Sequence, residues 1–188
     1  MAQYHVSISA KHKWLELNLK EVWNYRDLIY LFTKRNFVVS YKQTILGPAW
    51  LFLTPLMSSL VQAFVFGEIA GIGTDGVPTY LFYLCSNAIW AFFSNCLTTN
   101  ASTFTEDAGV FGKVYFPRII MPLVAVTTNL LAFAIQLAIF AAFYIYYAAT
   151  GTELTIHWQI VLFPILMLIL ALMAVGFGMI FSSMTTKY

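Results

Sequence analysis

The sequence predicts an all-α integral membrane protein: an N-terminal amphipathic interfacial helix, then four transmembrane helices, with both ends of the visible chain cytoplasmic. Three observations carry this. The 188 residues are 60% hydrophobic and only 10% charged, against about a quarter charged in soluble domains. With 17 Phe, 11 Tyr and 5 Trp, so short a chain has too little interior to hide its apolar surface from water. All ten Lys and Arg flank the apolar runs on one predicted side, and none falls within a run.

Residues 1–13 are polar and read as a loose cytoplasmic start. They lack the apolar run of a signal peptide and are expected to stay in the mature protein. Residues 14–47 form an amphipathic segment. Asn24 with Asp27 resembles a helix start. Leu28, Leu31, Phe32 and Val39 are expected to share a stripe lying on the membrane surface, with Arg35 interrupting it and snorkelling. Gly47-Pro48 ends this segment, because proline suits the first turn of a new helix.

Residues 48–188 form the transmembrane domain. The first span is predicted at about 48–66, with Trp50 at its inner interface and Pro55 as a kink. Residues 68–79 hold three glycines and read as an outer loop. Their Gly71-Ile72-Gly73-Thr74-Asp75-Gly76 matches a dinucleotide fingerprint in letters alone, since no βαβ unit surrounds it.

The second span is predicted at about 80–103. Its second half holds Ser94, Asn95, Thr98, Thr99, Asn100, Ser102 and Thr103. Such groups facing lipid would be unpaired, so they are expected to face neighbouring helices or a wet path. The third span, about 117–147, ends in a belt of Tyr144, Tyr146 and Tyr147. The fourth, about 159–183, carries small residues whose Ala174-x-x-x-Gly178 spacing permits close helix approach.

Orientation follows from charge. Lys11, Lys13, Lys20, Arg26, Lys34, Arg35 and Lys42 precede the first span, Lys113 and Arg118 lie in the middle turn, and Lys187 follows the fourth span. The opposite loops carry only Glu68, Asp75 and Glu153. The positive-inside rule then puts both ends and the turn 106–118 in the cytoplasm.

Several chemistries find no residues. No span centre carries the acid or base that a proton relay needs. No Walker A sequence is present. His5, His12 and His157 divide between the two sides, so no metal site is expected. Cys85 and Cys96 fall ~16 Å apart along one predicted helix and cannot bridge. The bases form no tract for nucleic acid. A lipid transferase would have to work with Glu106 and Asp107 and no partner His. A transporter component powered by a partner fits these absences, and a non-transporting membrane scaffold is the alternative.

Particular runs sharpen the reading. Tyr25-Arg26-Asp27-Leu28, then Tyr41-Lys42-Gln43-Thr44-Ile45-Leu46-Gly47-Pro48-Ala49-Trp50 and Pro55, resemble the start of the permease subunit of type-2 ABC exporters. Trp90-Ala91-Phe92-Phe93-Ser94 and Lys113-Val114-Tyr115-Phe116-Pro117-Arg118, with Pro122 after, are similar to its later landmarks. The subgroup they resemble exports lipid-linked polysaccharides such as O-antigen, capsule or teichoic acid. The likeness covers the chain from about Trp14. Family permeases have six spans, and the four expected here correspond to the first four of them. Cys85-Ser86-Asn87-Ala88 departs from the small apolar residues and proline usual in the family.

The resemblance implies a homodimeric permease in the bacterial inner membrane, docked on two cytoplasmic ATP-binding subunits that hold ATP and Mg²⁺. This chain would hold no cofactor, and catalysis would lie outside it. The docking turn carries over to Glu106, Asp107, Val110, Phe111, Lys113, Val114, Tyr115, Phe116 and Arg118. Lys34, Arg35 and Lys42 are candidates for attracting a lipid diphosphate headgroup. Trp50, Ser94 and Thr98 are candidates for the glycan path.

Overall fold

The computed structural model describes residues 19–42, 47–106, 109, 116–117, 119–152 and 158–185. Among these, every regular element is a helix. A short α1, Leu19–Asn24, leads into α2, Arg26–Lys42. The break falls at Tyr25, whose N–H donates to the Val22 carbonyl (3.1 Å) and whose carbonyl accepts from Ile29 N–H (3.0 Å). Tyr25 thus takes the cap position expected of Asn24. Asp27 stands in the first turn of α2, where a carboxylate meets the positive end of the helix dipole.

The buried face of α2 differs from the expected stripe. Tyr25, Leu28, Ile29 and Phe32 pack on Phe116, Ile120, Met121 and Val124. Leu31 and Val39 stay exposed. The helix therefore lies against another helix along part of its length and is not a lone surface helix.

Gly47 adopts a positive φ of 47°, a conformation glycine takes without a Cβ clash, and the chain turns there into α3, Ala49–Gln62. This helix runs unbroken across Pro55 and continues as a π-helical stretch, Ala63–Ile69. The expected outer loop at Glu68 therefore begins two residues later. Gly67 explains the extension: a Cβ there would meet the Thr79 methyl at 2.5 Å. The glycine lets the widened turn rest on the start of the next helix. Its companion contact is Phe66 stacked on Tyr83, centroids 5.9 Å apart.

The central element is α4, Thr79–Glu106, which packs on α3 and on both following helices. Its buried positions are Leu81, Leu84, Ala88, Phe92, Cys96, Asn100 and Thr103. Steps of three and four residues put them on one stripe. The next helix, α5, is Ile120–Ala149. A 3₁₀ turn, Trp158–Leu162, precedes α6, Phe163–Thr185.

The main core lies among α4, α5 and α6, around Ala88, Phe92, Cys96, Phe133, Met167 and Ala174. The rings of Phe92 and Phe133 sit 5.3 Å apart. The small-residue stripe of α6 meets another helix closely, as its spacing permits, and that helix is α4. Ala174, Gly178 and Ser182 are buried, and a Cβ on Gly178 would come within 2.5 Å of the Asn100 Cβ and 3.1 Å of the Leu97 carbonyl oxygen.

Ala49–Ile69, Ile120–Ala149 and Trp158–Thr185 are long and apolar enough to cross a membrane. The fourth helix expected to span, α4, has the length, about 42 Å. Its polar half from Ser94 to Thr103 keeps it less apolar than the other three.

Candidate functional site

Three regions hold the residues singled out above. The first is the turn between α4 and α5. Glu106 closes α4, and Asp107, Val110, Phe111, Lys113, Val114, Tyr115 and Arg118 lie outside the described residues. Phe116 is described, and it is 5% exposed. Its ring lies 6.3 Å from that of Phe32. Phe116, one of the docking-turn candidates, is thus buried within this chain against α2. The Pro117 carbonyl then accepts the Ile120 N–H at 3.0 Å as α5 begins.

The second region is the cationic side of α2. Lys34, Arg35 and Lys42 are all exposed, but they do not act as one cluster. Arg35 donates from Nε (3.1 Å) and from a terminal nitrogen (3.0 Å) to Asn36 Oδ1, and its guanidinium lies 4.8 Å from the centre of the Phe32 ring. Lys34 instead borders a groove between α2 and α5. Lys42 ends the helix, where its charge meets the negative end of the dipole.

The third region is a polar groove within the apolar bundle. It encloses about 350 Å³ between α3, α4 and α5, and Trp50, Thr54, Ser58, Asn87, Asn95 and Gln136 supply its polar lining. That volume equals roughly ten waters of liquid. Asn87 Nδ2 donates to the buried Ser59 hydroxyl at 3.5 Å. Trp50 and Asn95 are exposed at its rim, so the groove opens on the surface of this chain. A polar surface facing hydrocarbon is costly, so such a groove is stable against water or another protein surface.

Of the three path candidates, the structure brings only Trp50 into this groove. Ser94 is half-buried beside it in sequence, and Thr98 is exposed with its hydroxyl donated to the Ser94 carbonyl at 2.9 Å. The residues missed were Asn87 and Gln136. Asn87 stood in the run that departs from the family pattern, and Gln136 is the lone amide in the apolar stretch from Leu130 to Ala149. Both signals were present in the letters.

The outward surface completes the picture. Leu166, Leu168, Leu172, Ile180 and Phe181 of α6 are all more than half exposed, a continuous apolar face that water-soluble monomers rarely show. On α6 the small residues Ala174, Gly178 and Ser182 face inward while these large apolar residues face out. These features define a membrane-embedded helical bundle.

The sequence profile of the ABC-2 type transporter family matches residues 27–188, and the chain belongs to that family. It is similar to the O-antigen export system permease protein RfbA of Myxococcus xanthus, 28% identical over 152 residues, covering 80% of this chain and 55% of that protein. A protein of the same name from Klebsiella pneumoniae is 26% identical over 159 residues, covering 84% of this chain and 59% of that one. The chain thus spans a little over half the length of the curated relatives it matches.

Proposed function

We propose that this chain is part of the permease subunit of an ATP-driven exporter that moves a lipid-linked polysaccharide of the O-antigen kind across the bacterial inner membrane. The observation that carries the reading is the family match over residues 27–188, joined to relatives named as O-antigen export permeases. In this reading α4 is the second of four spans, and both ends of the chain and the turn 106–118 are cytoplasmic. Two copies of the permease pair, and the polar groove at Trp50, Asn87, Asn95 and Gln136 lines a path closed by the second copy. Aromatic faces such as Trp50 accept sugar C–H surfaces without demanding one linkage, much as aromatic platforms accept varied bases.

ATP and Mg²⁺ belong to separate cytoplasmic subunits, and this chain holds no cofactor. Those subunits dock at Glu106–Arg118, where Val110, Phe111, Val114 and Tyr115 enter an apolar cleft with Glu106, Asp107, Lys113 and Arg118 at its rim. The contact of Phe116 with Phe32 supports α2 and the turn moving as one body. Lys34, Arg35 and Lys42 supply positive charge at the inner surface for an arriving diphosphate.

The test is co-expression with the ATP-binding subunit. Burying one large apolar side chain is worth roughly 1.5–3 kcal/mol. Phe111→Asp is therefore expected to leave the protein in the membrane and to abolish co-purification of the ATPase and glycan export. Retained docking and export in that variant would refute the coupling role. If the unmutated chain captures no ATPase at all, the scaffold alternative gains.

A further inference from the structure

The structure assigns a second ligand site to the groove between α2 and α5, and we propose that it holds a resident anionic phospholipid. The groove measures about 400 Å³. Its walls are mostly apolar: Ile29 and Phe37 from α2, and Leu131 from α5. Arg26 and Lys34 border it from the α2 side, two helical turns apart on the same helix. An acyl chain matches the walls and a phosphate matches the two cations.

A separate observation points to an occupant. The Thr33 hydroxyl lines this groove, on a residue only 4% exposed, and has no hydrogen-bond partner. A buried hydroxyl left unpaired is unfavourable, and a helical threonine usually donates to a carbonyl one turn back, as Thr127 and Thr128 do here to Leu123 and Val124. A phosphate or ester oxygen in the groove would accept from Thr33. The charges are not all positive: Asp27 Oδ1 lies 3.8 Å from Arg26 Nε, and Arg26 also lies 5.7 Å from the Trp23 ring centre. Both members of that pair are largely exposed, so Asp27 offsets only part of the cation.

Depth fixes the class of ligand. The tyrosine belt ends α5 at Tyr147. About twenty residues back along the helix, or about 30 Å, lies Thr127. The groove is lined by Thr127, so it sits where hydrocarbon gives way to headgroups at the opposite face of the membrane. A phospholipid of that leaflet reaches it without leaving the bilayer. The inference rests on the bundle lying in a membrane and not on what it transports.

The test is native mass spectrometry of the full chain with phosphatidylglycerol or phosphatidylcholine. One phosphatidylglycerol is expected to stay bound after neutral lipid is stripped. The pair Arg26→Gln and Lys34→Gln should weaken it about thirtyfold, the factor expected for two basic side chains beside an anionic headgroup. Leu131→Trp keeps both charges, fills the groove and should displace the lipid equally. Arg26→Lys with Lys34→Arg should retain it. The site is overturned if phosphatidylglycerol binds no better than phosphatidylcholine, or if Leu131→Trp leaves binding intact. Occupancy by a polyprenyl diphosphate with no phosphatidylglycerol bound would also overturn it. Loss of export with phosphatidylglycerol binding unchanged would bear on the proposed transport function alone.

Discussion

Gly178→Val is expected to unseat α6 from α4 and leave little folded protein in mild detergent. Even the first added carbon, the Cβ, would stand 2.5 Å from the Asn100 Cβ and 3.1 Å from the Leu97 carbonyl oxygen. Neither is the far end of a flexible side chain, so a helix must move. Overpacking of this kind costs about 1–3 kcal/mol or more. Moving α6 also exposes the buried Ala174 and Ser182. In lipid there is little hydrophobic penalty to hold the helices together once their close fit is lost. Gly176→Ala is the control, because a Cβ at Gly176 meets nothing within 4 Å. Alanine is the better helix former there, by about 0.8–1 kcal/mol. Fluorescence-detected size exclusion after heating should show Gly178→Val collapsing and Gly176→Ala holding or gaining. Asn100→Gly in the Gly178→Val background should restore part of the loss, since it removes the nearest obstructing atom. Equal melting of both glycine variants would remove the close α4–α6 approach as a determinant of the fold.

That approach was half legible in the sequence. The Ala174-x-x-x-Gly178 spacing announced a helix face that another helix could meet closely, and the structure buries those residues. The identity of the partner was not legible, because Asn100 and Leu97 lie about eighty positions away and no local pattern joins them. The placement of α2 shows the opposite limit. A hydrophobic stripe was read through Leu31 and Val39, yet Tyr25, Ile29 and Thr33 turn inward instead. Which face of an amphipathic helix is buried depends on the helix beside it, and α5 arrives ninety residues later.

The polar half of α4 illustrates a second limit. Its hydroxyls were expected to need neighbours. Thr98 donates to the Ser94 carbonyl (2.9 Å) and Thr103 to the Thr99 carbonyl (2.8 Å). A helix can satisfy its own threonines, so Thr98 is exposed without an unpaired hydroxyl. Amides cannot close their groups so completely. Asn100 Nδ2 reaches the Cys96 carbonyl at 2.7 Å while its buried Oδ1 has no partner. It is the amides Asn87, Asn95 and Gln136 that gather at the groove. For the polar groove, these amides were a better guide than the run of serines and threonines from Ser94 to Thr103.

Phe116→Ala is expected to leave the bundle folded and, under the proposed function, to separate ATP hydrolysis from transport. Phe116 belongs to a different cluster from the main core: its neighbours are Ile120, Met121 and Val124, with Phe32 and Leu28 of α2 packed on them. Truncating a buried phenylalanine costs about 3–5 kcal/mol. Here that loss falls on the joint between α2 and α5, while the Phe92–Phe133 core is untouched. Amide exchange across Arg26–Lys42 should therefore speed up, with little change in Thr79–Glu106, since local opening tracks local packing. If α2 and the turn 106–118 carry force as one body, export should fall at least about tenfold, the factor for 1.4 kcal/mol lost at the coupling step. The ATP-binding subunit should still co-purify, which distinguishes this variant from Phe111→Asp. Phe32→Ala removes the facing ring and should give the same phenotype. Because the two rings share one contact, the double variant should be less damaging than the sum. Faster exchange in α2 with export intact would mean that the joint only anchors α2. The mechanical link would then have to run through the turn and the ends of α4 and α5 alone.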